Sequence, residues 1–145
     1  MTEKFIQRLD FICNTIPPLL NEMTEEDLSY KSSAEKWSRK QILGHLIDSA
    51  TNNHQRFIRV QFETIPFIKY DQNNWNHYSN YQELDAAHLI QLWTIYNRHL
   101  IHIIRSIPEE NLLKECNIGK EANVTLLFVI EDYVRHLEHH LSQIV

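Results

Sequence analysis

Apolar residues recur three and four positions apart in four stretches of this chain, and each stretch predicts an amphipathic helix. In the first, from about Thr2 to Thr15, Phe5, Leu9, Ile12 and Ile16 set the spacing, and Pro17 and Pro18 are expected to break or kink the chain after it. The second opens after Trp37, where Ser38 and Gln41 form a capping-box signature. Ile42, Leu46, Ala50, Asn53 and Phe57 follow it at helical spacing to about Phe62. The third spans roughly Glu83 to Ile107 on Leu89, Leu92, Tyr96, Ile103 and Ile107, and Pro108 ends it. The fourth, about Val124 to Ile144, alternates Leu127, Ile130, Val134, Leu137, Leu141 and Ile144 three and four apart, the seam of a bundle helix. Two glycines and four prolines are too few turn signals for many short strands. The expected fold is therefore all-α, one four-helix-bundle domain over residues 1–145. Its two long connections, 64–82 and 108–123, are expected to act as lids or crossovers.

Composition narrows the functional classes. With 43% hydrophobic and 23% charged residues, the chain has the balance of a folded globular protein. A net charge of −5, a pI near 6.0 and the lack of any basic run leave no electrostatic footprint for nucleic acid. No stretch approaches the roughly 20 apolar residues of a membrane span, and "MTEKFIQRLDF" has no apolar signal core. Cys13 and Cys116 lie far apart and match no CxxC pattern. The expectation is a cytoplasmic, reduced protein that acts on a small-molecule substrate, with neither nucleic acid nor membrane as partner. Nine histidines in 145 residues are the one compositional oddity.

Three of those histidines fall in "RHLEHHLSQIV". On a wheel of about 100° per residue, His139 lies nearly opposite the apolar seam, toward water. His136 and His140 lie on a flank roughly 90–130° round from the seam, in line with Val129 and Tyr133. Histidines four apart project side by side, so His136 and His140 can act together. Imidazolium at a helix end, against the negative pole of its dipole, is the alternative reading. The second helix offers a third ring: in "GHLIDSATNNHQRF", His45 sits beside the apolar stripe, with Asp48, Ser49, Asn52 and Arg56 down the same flank. Such a polar column must be satisfied internally or line a wet pocket. Gly44 costs helix stability unless something packs closely against it. His54 and His88 read as surface, His99 and His102 as structural or exposed, and His77 as a candidate pocket residue. Three neutral imidazoles from two helices, with a position left for water or substrate, form the pattern of a catalytic divalent-metal site. Imidazole suits zinc, nickel, copper and ferrous iron alike, so the spacing does not name the metal.

At these residues the chain resembles a known family. "EKWSRKQILGHLIDSATNNHQRF" is similar to the second-helix signature of the DinB superfamily, and "EDYVRHLEHHLSQI" to that family's closing motif. "NNWNHY" and "LIQLWTIYNRHL" resemble its loop tryptophan and third helix, so the likeness covers nearly the whole chain. The resemblance implies an up-down-down-up bundle, metal ligation by His45, His136 and His140, and a homodimer. It also implies a choice among thiol-dependent transferases that use bacillithiol or mycothiol, a maleylpyruvate isomerase, and metal-dependent hydrolases of unassigned substrate. A fold of this kind does not by itself choose the reaction.

The leading expectation is a divalent-metal-dependent enzyme (Zn, Ni or Fe) with thiol S-transferase chemistry on a small electrophile and a low-molecular-weight thiol as co-substrate. The alternatives are a metal-dependent hydrolase, or a non-catalytic stress or interaction protein in which the ion staples two helices. A cation can hold a thiol as thiolate or lower the pKa of water toward 7. Asp48 and Arg56 are the expected catalytic residues. Asp48, or Asp132 four residues before His136, is expected to orient a ligand histidine or accept a proton. Arg56 is expected either to hold a carboxylate by a bidentate contact or to close a salt bridge within the bundle. Trp75 and Tyr78 are expected either to wall the pocket or to pack over the bundle end, and Trp37 to be a core anchor. Cys13 and Cys116 are poor nucleophile candidates, having no histidine at helical spacing.

Overall fold

The four periodic stretches become the four long helices of a computed structural model that describes residues 1–145: α1 Glu3–Asn21, α3 Arg39–Arg59, α5 Ala86–Ser106 and α6 Leu126–Leu141. Two shorter helices, α2 Glu25–Ser29 and α4 Gln72–Ser79, lie in the connections, and Glu115–Cys116 (β1) pairs antiparallel with Val124–Thr125 (β2).

Side-chain caps set the starts. The Ser38 hydroxyl accepts the Gln41 N–H at 3.1 Å while the Gln41 amide accepts the Ser38 N–H at 2.9 Å, the expected box. Asp85 caps α5 by accepting the His88 N–H at 3.2 Å, so that helix begins three residues later than its periodicity suggests, after a 3₁₀ turn at Tyr81–Glu83. Thr125 caps α6 after the strand pair has used residues 124–125.

Pro17 and Pro18 do not end α1, which runs on to Asn21. Each proline removes one backbone donor. Leu20 is fully buried beyond them, and its burial, worth about 1.5–3 kcal/mol, offsets much of that loss.

Contacts between helices fix the direction of each. α1 and α5 run antiparallel, since Arg105 pairs with Asp10 and Arg98 donates to Asn14. α3 and α5 run parallel, with Ser38 bonded to Gln82 at one end and His54 to Tyr96 farther along. α3 and α6 are antiparallel, because Arg39 reaches the Ile144 carbonyl while His45 meets His136 and Phe57 meets Tyr133. α1 and α6 are parallel: Arg8 pairs with Glu138, while Lys4 and Phe5 border a cleft with Glu131 and Val134. The bundle is therefore up-down-down-up, with α1 and α3 on opposite corners and α5 and α6 between them.

Trp93, Tyr133 and Phe57 are the bulkiest side chains of the core. The buried face of α5 is Leu89, Ile90, Trp93, Asn97, Leu100, Ile101, Ile103 and Ile104. Of the expected stripe, Leu89, Ile103 and Ile107 are buried, whereas Leu92 is 38% exposed and Tyr96 half-buried, and Trp93 and Asn97, one position on, take their places in the core. α5 packs on both α1 and α3, so its apolar face is too broad for one periodic row to mark its centre. At that centre the Tyr133 hydroxyl donates to Asn97 Oδ1 at 2.5 Å and Asn97 Nδ2 donates to the Trp93 carbonyl at 2.9 Å.

The connections are more ordered than their polarity suggests. Asp71 caps α4 by accepting the Asn74 N–H at 3.0 Å, and Asn76 donates to the Gln41 carbonyl at 2.8 Å, docking α4 on α3. No helix is long and apolar enough to cross a membrane.

Candidate metal centre

The antiparallel packing of α3 on α6 brings His45, from the second turn of α3, against His136 and His140, one turn apart near the end of α6. One ring nitrogen from each lies within 4.8 Å of the others. His45 Nε2 and His136 Nε2 are 3.0 Å apart. Ring centroids are 4.9 Å apart for His45–His136, 4.7 Å for His45–His140 and 4.5 Å for His136–His140, all edge-on. His140 Nδ1 sits 2.9 Å from Gln143 Oε1. An amide oxygen only accepts, so Nδ1 carries the proton and Nε2 keeps its lone pair for the cluster.

Burial, and then the nearby charges of His136 and His140, lower the pKa of His45 to about 3. Burial and then His140 lower that of His136 to about 4, with Asp132 acting in the opposite sense. Both rings are thus neutral near pH 7, the state in which imidazole ligates a metal. Nδ1 of His45 is buried without a partner.

Beside the trio opens a cavity of about 450 Å³, lined by Glu35, Lys36, Trp37, Ile42, Gln72, Asn73, His140 and Gln143. Trp37 is half-buried with its ring 5.1 Å from that of His45, so it is a wall of the site and not the core anchor expected. It precedes the helix, where periodicity assigns no face, and so carried no sequence signal. Gln143, three residues beyond His140, had the legible spacing of a partner to that ring.

The polar column on α3 divides into two parts. Asn52 donates to the Asp48 carbonyl at 2.9 Å and Asn53 to the Ser49 carbonyl at 2.9 Å. Arg56 closes no salt bridge within the bundle: its Nε and Nη2 donate to the Ile68 carbonyl at 3.2 and 2.9 Å and its Nη1 to Asn53 at 3.3 Å. The guanidinium fork anchors the 64–82 connection to α3. In the column, the fully buried polar atoms without a partner are in its upper part, at His45 and Asp48. Asp48 Oδ1 accepts the Tyr81 hydroxyl at 2.5 Å, Oδ2 is unpartnered, and burial raises its carboxyl pKa to about 6 against that hydrogen bond.

Tyr81 also explains Gly44. A Cβ there would lie 2.1 Å from Tyr81 Cδ2, so only glycine lets the ring close on the helix beside Asp48. Gly44→Ala should therefore push Tyr81 off Asp48 and cost about 1–3 kcal/mol. In thermal unfolding that is a fall of roughly 3–10 °C; an unchanged melting temperature would contradict this packing.

Asp132 accepts from Arg135 at 2.6 Å and makes no hydrogen bond to His136. His139 is exposed, as the helical wheel places it, with its ring 5.0 Å from that of His140. His77, Trp75 and Tyr78 are exposed on α4 and do not line the histidine cavity. His88, His99 and His102 are exposed, whereas His54 is half-buried, with Nδ1 2.7 Å from the Tyr96 hydroxyl, and is not the surface residue expected. Cys13 and Cys116 are buried. Burial pushes the Cys13 thiol up to about 11 and raises that of Cys116, so neither supplies a thiolate.

The sequence model of the DinB superfamily matches residues 8–144. A Bacillus cereus (strain ATCC 10987) protein named "Putative metal-dependent hydrolase" is 23% identical over 145 residues, 99% of this chain and 83% of its own length. A Bacillus mycoides (strain KBAB4) protein of the same designation is 23% identical over 143 residues, 98% of this chain and 82% of its own. YfiT from Bacillus subtilis, described as "a probable metal-dependent hydrolase with an unusual four-helix bundle topology", matches the fold with a TM-score of 0.88 at 23% identity, covering 99% of this chain and 83% of that one. Mycothiol-dependent maleylpyruvate isomerase matches with a TM-score of 0.75 at 13% identity, covering 97% of this chain and 60% of that one. Because the sequence model spans all four long helices and both histidine-bearing segments, the chain belongs to the DinB superfamily.

Proposed function

We propose that this chain is a divalent-metal-dependent enzyme in which His45, His136 and His140 hold the ion and the adjoining cavity receives a low-molecular-weight thiol and a small electrophile, joining them as an S-transferase. The observation that carries this reading is the convergence of three imidazoles, with ligand atoms within 4.8 Å of one another, beside a cavity that His140 lines. Zinc, nickel and ferrous iron all suit such a donor set. A bound divalent cation supplies the acidity that holds a sulfur as thiolate near neutral pH.

The chain's own groups then have distinct tasks. Gln143 fixes the tautomer of His140. Trp37 covers the His45 ring and narrows the approach of bulk water. Lys36, Glu35, Gln72 and Asn73 offer one charge of each sign and two amides to the polar groups of the thiol. Asp48 is a positioning residue: it lies one turn along α3 from His45, and its Oδ2, like the Nδ1 of His45, is buried without a partner. Since both cysteine thiols are buried and held protonated, the sulfur comes from the co-substrate. The carbon–sulfur bond forms as the carbon–halogen bond breaks, with the halide and the thiol proton released to solvent, or as an epoxide C–O bond breaks, with the resulting alkoxide taking up a proton from solvent in place of the one the thiol lost.

The naming of relatives as metal-dependent hydrolases favours a second reading, in which water is the nucleophile at the same three histidines. One assay separates the two. The untagged, zinc- or nickel-loaded chain is incubated with an electrophilic bimane and bacillithiol, mycothiol, glutathione or coenzyme A, and in parallel with ester and amide substrates and no thiol. Conjugation that needs the thiol and disappears on chelation is the expected result. Metal-dependent hydrolysis with no conjugation by any thiol would overturn the transferase reading in favour of the hydrolase.

A further inference from the structure

Around the cavity beside the three histidines, polar side chains divide by what they bond to. At the start of α3, Ser38 bonds to Gln82, Arg39 to the Ile144 carbonyl and Lys40 to Glu25. On α4 and its cap, Asn74 donates to Asp71 and Asn76 to the Gln41 carbonyl. The neighbours of these residues that line the cavity behave differently. Glu35, Lys36, Gln72 and Asn73 are exposed, and their side chains make no hydrogen bond or ion pair within the chain. Glu35 and Lys36 are adjacent, so their α-carbons lie about 3.8 Å apart, yet they do not pair with each other. One charge of each sign therefore borders a single opening with its partner position free. Trp37, the next residue, has its ring 5.1 Å from that of His45, so the same short segment borders both the two charges and a ring of the candidate metal centre.

We propose that Glu35 and Lys36 select the co-substrate by its charges, so that the sulfur is brought in by a zwitterionic thiol, with its ammonium on Glu35 and a carboxylate on Lys36. The inference rests on the thiol chemistry proposed for the three-histidine centre. Gln72 and Asn73, on the α4 side of the cavity, add amides suited to the uncharged part of such a molecule. A thiol with no ionised group leaves both charges unpaired. A thiol that carries several phosphates meets Glu35 and a chain of net charge −5. An exposed ion pair is worth up to about fivefold in affinity, so each charge of the ligand should be separately measurable.

The test uses the full, untagged chain loaded with Co(II), and reads thiol binding from the sulfur-to-cobalt charge-transfer absorption. The probes share one thiol: glutathione, N-acetylglutathione, which lacks the ammonium, and glutathione diethyl ester, which lacks the carboxylates. Affinities are compared at equal thiolate concentration. Glutathione is expected to bind roughly three- to fivefold more tightly than either derivative. The divalent ion by itself favours the more anionic N-acetyl form, so a preference for the free ammonium reports the carboxylate of Glu35. Glu35→Gln should abolish the preference for the ammonium and keep that for the carboxylates, and Lys36→Gln should do the reverse. Both positions are exposed, and cobalt content and circular dichroism should be those of the native chain. Equal binding of all three probes by the native chain overturns the proposal, as do preferences that survive both substitutions; in either case the thiol reading of the centre stands. If no probe changes the cobalt spectrum, the thiol reading itself fails and the proposal with it.

Discussion

Replacing His136 with alanine should leave a folded chain that no longer retains its ion. Metal content should fall from about one equivalent per chain to less than about a tenth, and turnover by on the order of 10³-fold or more. The reasoning is geometric. His136 Nε2 is 3.0 Å from His45 Nε2, and His136 and His140 are the two rings α6 contributes. Without His136, only one nitrogen from each of two helices is left, and two imidazoles do not complete a zinc-type site. The ring is only half-buried and lies outside the hydrophobic cluster of 31 residues, so its loss leaves the core intact. His139→Ala is the matching control: it sits on the same turn but is exposed, and should change neither metal content nor rate. Elemental analysis and the conjugation or hydrolysis assay, run on both variants, check the pair of outcomes.

The second large effect is on stability against pH. In the metal-free chain, folding should weaken as pH falls from about 6.5 toward 4. The folded pKa values of His45 and His136, about 3 and about 4, lie below the ordinary histidine value of 6.5. In that window the unfolded chain binds more protons than the folded one. Stability contributed by the neutral rings is therefore complete above about pH 6.5 and lost on the way down. For fully buried His45, a displacement of this size corresponds to at most about 5 kcal/mol, and to a few after relaxation. A few kcal/mol is a large fraction of a domain's usual 5–15 kcal/mol. Asp48 acts in the opposite direction: its folded pKa of about 6 lies above the ordinary 3.8, so protonation relieves a buried carboxylate as pH drops through 6. Its displacement is smaller than that of His45 alone, so the histidines dominate. Thermal unfolding of the chelated chain should show a melting temperature at pH 5 lower than at pH 7.5 by at least about 5 °C. A flat profile would contradict neutral, desolvated rings.

The features legible in the sequence are those that repeat. The seam of α6 and the stripe of α3 placed His136, His140 and His45 on facing flanks, and the structure brings those three rings together. The Ser38 box was visible because capping chemistry is local. Features that depend on a neighbour were not visible. Trp37 lies outside any periodic element and becomes a cavity wall only because α3 turns His45 beneath it. Gly44 signalled a close packing partner, but that the partner was Tyr81, 37 residues away in the chain, emerged only from the fold. Arg56 sits on the correct flank of α3, yet the carbonyl of Ile68 in the long connection takes its donors. The polar character of 64–82 concealed α4, whose stability comes from the Asp71 cap and docking on α3 and not from an apolar stripe of its own. His54 was misplaced because its burial comes from Tyr96 of α5, which a wheel drawn for α3 alone does not contain.

X-ray absorption at the edge of the bound metal, on the untagged chain with and without thiol, tests the three-histidine centre most directly. The expected spectrum has three imidazole nitrogens at about 2.0–2.1 Å and an exchangeable light atom, which gives way to sulfur at about 2.3 Å when the thiol is added. A shell with no histidine scattering, or one filled by four protein ligands and indifferent to thiol, would contradict it.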